Sequence, residues 1–524
     1  MKKLAITAAA AGAGLVALAL VPTAAQAGSA QPARPSASLS WSACTDESLA
    51  GLECASLNVP LDHAKPHGQQ ITLALSRAKH TGTTGYQGSL LVNPGGPGGT
   101  GRDFASRVED GLPDSLKATY DVIGFDPRGV GGSSPSLSCD PNYFAPVRPD
   151  YLPKTKAIET AWLTKAAGFA KACGQKYGSL LQHMKTTDAV QDMDDIRAAL
   201  GQNQINYYGA SYGTYLGSVY ATMYPTHVRR MVLDSNVKPS DVWYDANLEQ
   251  DKAFEGNINA LFAWAAKYDS VYHLGTTQDA VRKAFFAARD KAVKNPVGGI
   301  VGGAEFIDTY LVAGYIDLGG YYPYLTNALA QYTAGNDQPM IDAYNLLGAT
   351  PDDNGYVVYN AVQCSDVQWP TSWTKWQHDN TKLYNDGYQI ETWGNAWYNA
   401  PCLTWPAKAG KPVDVGHATG IPPVLLFQAT NDAATPFPGG VEMNKRLKGS
   451  RLVIEDGGRT HGVVQRGNAC IDDKFAAFLT DGTLPANDVH CARLPEPGPP
   501  AGASASAKAA AAAAPQLPQA LARP

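Results

Sequence analysis

The 524-residue sequence has no excess of positive charge: 42 Lys and Arg stand against 47 Asp and Glu, a formal net charge of −5. Bulk binding of nucleic acid through its phosphates is therefore disfavoured. None of the eight cysteines stands in a C-x-x-C spacing, which removes the common structural zinc signatures. The glycine-rich stretches are not followed by G-K-[ST], so a phosphate-cradling loop is a poor reading. No repeat of roughly 20–50 residues is visible. Beyond Val21 no run is apolar and long enough to cross a bilayer. Nothing in the sequence calls for a metal or a cofactor. What is plentiful is turn residues, 52 Gly and 36 Pro, in a chain with an ordinary hydrophobic fraction of 44%. That excludes disorder as the main state and favours many short elements over a helical bundle.

The two ends read differently from the middle. Lys2 and Lys3 precede an apolar run to Val21, and Ala25-Gln26-Ala27 offers a small-residue cleavage site. Residues 1–27 are predicted to be a secretory signal peptide; the competing reading is a membrane anchor. Residues 28–40 read as a flexible leader or pro-segment. Residues 493–524, rich in Pro and Ala, read as a disordered tail. The eight cysteines, Cys44, Cys54, Cys139, Cys173, Cys364, Cys402, Cys470 and Cys491, all follow the signal. An exported chain meets an oxidising compartment, so disulfides are expected. Eight cysteines allow about 105 connectivities; neighbour pairing gives 44–54, 139–173, 364–402 and 470–491.

Between the ends, short apolar strands alternate with helices. Strands are predicted over 71–76, 89–93, 120–126, 205–208, 230–233, 423–428 and 451–454, and helices over 187–200 and 212–223. This pattern indicates an α/β fold, a mostly parallel sheet with helices on both faces. Core segments are expected over 41–237 and 417–492. The alternation breaks over 238–416, which reads as a large, mainly helical insertion. Residues 241–410 hold 15 of the 26 Tyr and 8 of the 10 Trp. Those aromatics make either an ordinary helical core or a cap whose inner wall faces a cleft at the ligand-binding edge of the sheet.

Gly209-Ala210-Ser211-Tyr212-Gly213 matches G-x-S-x-G and lies between a predicted strand and an apolar helix. This is the strand–elbow–helix setting of a nucleophilic serine. In that setting an acid and then a histidine follow. Of the later histidines, His461 stands on a loop just after the strand at 451–454, and it is the expected base. Asp432, after the strand at 423–428, is the expected acid; Asp456 is its competitor but lies too close to His461. Thr435 either supports Asp432 by a hydrogen bond or shapes the turn. Backbone N–H groups of Tyr212 and of Gly96, in Pro94-Gly95-Gly96-Pro97-Gly98-Gly99, are the expected oxyanion donors. A second turn, Asp126-Pro127-Arg128-Gly129-Val130-Gly131, should shape the floor of the site.

These segments resemble the prolyl iminopeptidases. The 94–99 loop resembles their H-G-G-P-G-G, with Pro94 in place of the histidine, and 126–131 resembles their D-Q-R-G-x-G. The export signal, Val59-Pro60-Leu61-Asp62-His63 and the paired cysteines look more like the secreted tripeptidyl aminopeptidases of soil bacteria, in the same α/β-hydrolase peptidase family. The resemblance covers roughly residues 40–492. It implies an α/β-hydrolase fold with a cap, and release of short peptides from free N-termini. It also implies that acidic cap residues receive the substrate's α-ammonium. Asp241, Asp245, Glu249, Asp251 and Asp366 are candidates, with Asp366 and Glu249 preferred.

The expectation is an exported, monomeric serine exopeptidase that releases tripeptides and has peptide N-termini as its partners, with no nucleic acid and no membrane once the signal is removed. The alternatives are a carboxylesterase or lipase, a prolyl or dipeptidyl aminopeptidase, and a non-catalytic binding protein on this fold.

Overall fold

The computed structural model describes residues 39–499. The predicted signal peptide, most of the leader and the tail from residue 500 lie outside the described residues. One sheet of ten strands organises the chain: β1 (Ser42–Ala43), β2 (Glu53–Pro60), β3 (Gln70–Ala78), β4 (Ser89–Asn93), β5 (Asp121–Asp126), β6 (Ile205–Ala210), β7 (Val228–Asp234), β8 (Leu425–Ala429), β9 (Arg451–Asp456) and β10 (Val489–Ala492). Their spatial order is β1-β2-β3-β5-β4-β6-β7-β8-β9-β10. The first three are antiparallel to their neighbours, and β5-β4-β6-β7-β8-β9-β10 are parallel. Every strand predicted from the sequence is present. β1 and β10 were not foreseen. β2 was not foreseen either, although its alternation of buried and exposed residues, Leu57 and Val59 in, Ser56 and Asn58 out, has the period-two pattern of a one-sided strand.

The central strands are buried on both faces, and their alternate residues enter different cores. Leu91, Ile123, Phe125, Leu426 and Leu452 join one core, covered by helices Thr186–Ala199 and Tyr212–Met223 through Met193, Ile196, Leu216 and Val219. Leu90, Val92, Val122, Phe427 and Val453 join the other, covered by helices Arg102–Asp110 and Ala469–Asp481 through Phe104, Val108, Phe475 and Leu479. Continuous apolar strands such as Ser89–Asn93 follow from this two-sided burial.

Between β7 and β8 the described chain is helical, from Tyr244–Lys267 to Thr392–Asn399. Most of these helices share a third apolar core, whereas helix Asn354–Asp366 packs into the first. Most of the tryptophans predicted to be core or cleft wall are core: Trp397 stacks on Trp162 (ring centroids 5.9 Å) and Trp373 (4.8 Å). Trp162 lies in helix Lys156–Tyr177, between β5 and β6. The cap therefore draws a helix from the first core segment as well as from the insertion. Of the predicted tail, residues 493–499 are described. The Trp264 indole donates to the Pro497 carbonyl at 2.7 Å, so residues 493–497 run along the cap helices. All eight cysteines are bridged as neighbours, 44–54, 139–173, 364–402 and 470–491. No helix among the described residues is long and apolar enough to cross a membrane.

Candidate active site

β6 ends in a sharp turn into helix Tyr212–Met223, and Ser211 occupies the turn with φ 59° and ψ −129°. Side-chain-bearing residues rarely adopt this region, and the surroundings must hold it there. The Ser211 N–H donates to the Asp234 carbonyl at 3.0 Å, and its own carbonyl accepts from Thr214 Oγ1 at 2.6 Å. Close backbone approach explains the glycines. A Cβ on Gly213 would lie 2.7 Å from the Asn93 carbonyl. Gly95, at φ +98°, would place one 2.6 Å from the Ala210 carbonyl and 2.9 Å from the Tyr212 nitrogen. The glycine-rich loop after β4 thus lies directly against the serine turn. The Gly95 N–H is taken by Asn93 Oδ1 at 3.0 Å. Gly96 and Tyr212 line the cavity beside Ser211.

The expected base and acid, His461 and Asp432, lie side by side. His461 Nδ1 lies 3.0 and 2.9 Å from the two carboxylate oxygens of Asp432. Both side chains are buried. Thr435 donates to Asp432 twice, from its N–H at 3.0 Å and from Oγ1 at 2.9 Å. Gln428 at the end of β8 adds a longer contact at 3.4 Å. The competing acid, Asp456, pairs with exposed His490 at 3.0 Å instead.

Sequence reasoning missed the groups that hold these loops together. Asp234, the last residue of β7, is fully buried. Its carboxylate accepts from the N–H groups of Val463 and Val464 at 3.1 and 3.0 Å and from the Tyr208 hydroxyl at 3.1 Å. Burial pushes its pKa up, and the backbone donors oppose that. Ser235 Oγ accepts from the Gly462 N–H at 2.7 Å. The only signal was an acid ending the apolar strand RMVLD. The cap contributes too: the His461 N–H donates to the Tyr315 carbonyl at 2.7 Å. The Asn257 amide bridges the carbonyls of Gly314 (2.8 Å) and Asn431 (3.0 Å), and its oxygen accepts from Arg459 at 2.9 Å.

The second glycine-rich turn is tied to the start of helix Arg102–Asp110. The Asp126 carboxylate accepts from the N–H groups of Gly101, Arg102 and Gly132 and from Arg102 Nε. Its neighbour Arg128 is buried and grips both oxygens of Asp192, 2.7 and 2.6 Å away. Among the described residues His63, Asp192 and Asp195 have the spacing of metal ligands. The Arg128 guanidinium already supplies the cation there, so the set does not fit a metal ion.

Two cavities meet at Ser211. The first opens under the cap and includes Trp243, Phe254, Tyr315, Tyr359 and Tyr398 with the amides of Asn247, Gln250, Gln363 and Asn395. It holds three acids. Asp241 is paired with Lys238 at 2.7 Å. Glu249 is half exposed and paired with Lys252 at 2.5 Å, which places this predicted residue at the rim. Glu391 is 4% exposed and lies in the wall. Asp366, the other preferred acid, does not line this cavity. Its oxygens accept from Thr186 N–H (2.7 Å), Thr186 Oγ1 (2.6 Å) and Trp243 Nε1 (3.1 Å), which anchor it in the core. Its place as substrate anchor is therefore corrected. Asp251 is likewise buried against Asn395, and Asp245 is exposed. Glu391 was overlooked because it stands at a helix start, where a carboxylate is ordinary.

Two family models match the chain: "alpha/beta hydrolase fold" over residues 88–298 and "TAP-like protein" over residues 388–491. The chain is 43% identical to a tripeptidyl aminopeptidase of Streptomyces lividans over 86% of its own length and 85% of the relative. It is 31% identical to serine protease Hip1 of Mycobacterium tuberculosis, covering 84% of the chain and 87% of the relative. It is also 31% identical to carboxylesterase B of the same organism, covering 86% and 90%. The sheet order, the serine turn after β6 and these similarities agree, and the chain belongs to the tripeptidyl aminopeptidase family of α/β-hydrolase serine hydrolases.

Proposed function

We propose that the protein is an exported serine exopeptidase that releases tripeptides from free N-termini. Ser211 Oγ attacks the carbonyl carbon of the scissile bond while His461 Nε2 takes its proton. Asp432, bound to Nδ1, fixes the imidazole tautomer and stabilises the imidazolium. The N–H groups of Gly96 and Tyr212 receive the developing oxyanion. His461 returns the proton to the leaving nitrogen, the bond breaks, and water then hydrolyses the ester on Ser211. Glu391 receives the α-ammonium, because a cation entering a buried wall needs an opposite charge there. The observation that carries the reading is the cap-side cavity, which runs from Ser211, Gly96 and Tyr212 to buried Glu391. The distance from anchor to nucleophile then sets the length of peptide released. Four disulfides and an N-terminal stretch of signal-peptide type support export.

The test compares a free-amine tripeptide nitroanilide, its N-acetyl twin and a short-chain ester, with Ser211→Ala as the blank. The expected result is turnover of the free tripeptide, a loss of a hundredfold or more on acetylation, and a similar loss in Glu391→Gln. Equal turnover of both peptides, or of the ester alone, overturns the exopeptidase reading and favours an esterase like the mycobacterial relative.

A further inference from the structure

The second cavity at Ser211 lies on the other side of the nucleophile and has the opposite electrostatic character. It contains Ser211, His461, Phe104, Tyr208, Arg107 and Arg466, the last two being its only cations among the described residues. Its single acid, Asp110, is exposed. Arg107 projects from helix Arg102–Asp110 near Asp103, at 3.6 Å, and the two side chains are over a third exposed, so that pair is weak. Arg466 lies on the loop after His461, and its Nε donates to the Gly462 carbonyl at 2.9 Å, which orients the guanidinium. Burial, and to a lesser degree the nearby Arg466 charge, pushes the Arg107 pKa down. The two guanidiniums line one cavity beside Ser211, and an anion between them would be held by both.

The proposed mechanism orients this cavity. The group that returns the proton must stand beside the leaving nitrogen, and that group, His461, lines this cavity and not the cap-side one. The acyl part of the substrate then lies toward Glu391 and the leaving part toward the arginines. We infer that Arg107 and Arg466 form a leaving-side subsite for a carboxylate, so that the enzyme prefers short peptides whose free C-terminus follows closely after the bond cut. The inference rests on the peptidase reading above. Acid on one side of Ser211 and base on the other match the two charged ends of a small zwitterionic peptide. Guanidinium suits this task because its planar fork engages a carboxylate with two parallel hydrogen bonds.

The experiment uses the full-length processed enzyme and four substrates with one acyl tripeptide: its nitroanilide, and the same tripeptide extended by two neutral residues ending in a carboxylate, by the same two ending in an amide, and by an amidated pair bearing an aspartate. The readout is the ratio of kcat/KM between the acid and its amide twin. We expect a ratio of about ten or more in the wild type, falling with added salt. Arg107→Gln and Arg466→Gln should each bring it toward one, and Arg107→Lys should restore part of it. An equally good aspartate peptide would extend the subsite to side-chain carboxylates, whereas a poor one limits it to the α-carboxylate; either supports a carboxylate site. A wild-type ratio near one, or variants that keep the wild-type ratio while losing activity on every substrate, overturns the subsite and leaves the peptidase reading intact. Failure of the wild type to cleave even the nitroanilide overturns the peptidase reading and the subsite with it.

Discussion

At the residue scale, Asp366 shows how a carboxylate that looks like a binding group becomes a structural one. It sits deep in the core, accepts two hydrogen bonds from Thr186, and through Thr186 Oγ1 reaches the Tyr212 hydroxyl at 2.7 Å. Burial pushes its pKa up from 3.8 to about 6, although Thr186 and Trp243 donate to it and favour the charged form. Because the folded value lies above the unfolded one, folding favours the protonated form. Its contribution to stability is complete below about pH 4 and is lost as pH rises through about 6. Asp366→Asn, which cannot ionise, should therefore gain on the wild type across that window, by an amount on the order of 3 kcal/mol at most. Urea unfolding of both proteins in steps between pH 4 and 7 checks this; a constant difference would assign the pH response elsewhere. Sequence motif alone could not separate Asp366 from Glu391. Both are acids among aromatics, and the distinction lies in where the folded chain puts each: Asp366 on Thr186 and Trp243 in the core, Glu391 in the wall of the cap-side cavity.

At the element scale, the loops after β8 and β9 carry the candidate acid and base, and the cap ties them together. Asn257, on the long helix Tyr244–Lys267, contacts the cap at Gly314 and the core at Asn431 and Arg459. Asn257→Ala leaves buried carbonyls without donors, which costs about 1–3 kcal/mol per group. It should lower stability by that order and reduce kcat more than it raises KM, since the His461 loop loses its brace rather than the substrate its contacts. Urea unfolding together with steady-state kinetics on the tripeptide nitroanilide separates the two effects; an altered KM with kcat unchanged would place Asn257 in substrate binding instead. The elements themselves were largely legible. Apolar runs such as SLLVN and INYY could be buried only inside a two-faced sheet, and G-x-S-x-G between strand and helix marked the serine. The order serine, acid, histidine then pointed to Asp432 and His461. The braces were not legible, because Asp234, Ser235 and Asn257 act through backbone groups far away in sequence and follow no local spacing. The role of helix Lys156–Tyr177 in the cap was hidden for the same reason. Its partner, Trp397, lies more than two hundred residues further along the chain.

At the scale of the whole molecule, four short-range bridges distribute covalent restraint evenly. They close loops of sequence separation 10, 34, 38 and 21. By chain entropy, removing the 364–402 bridge should cost about 1 kcal/mol more than removing the 44–54 bridge. Paired alanine variants compared by urea unfolding test that ranking, and the reverse order would show that native packing around the bridge outweighs loop length. Two of the four bridges sit at the margins of the sheet. Cys44–Cys54 joins the segment of β1 to β2, and Cys470–Cys491 fastens β10 to the helix that covers it. An open sheet is vulnerable where its outermost strand peels away and offers bare amides and carbonyls to any extended chain nearby. Here both margins are sewn down. A solution crowded with loose peptide strands, which is the medium a peptidase works in, meets a sheet with no selvedge to unravel.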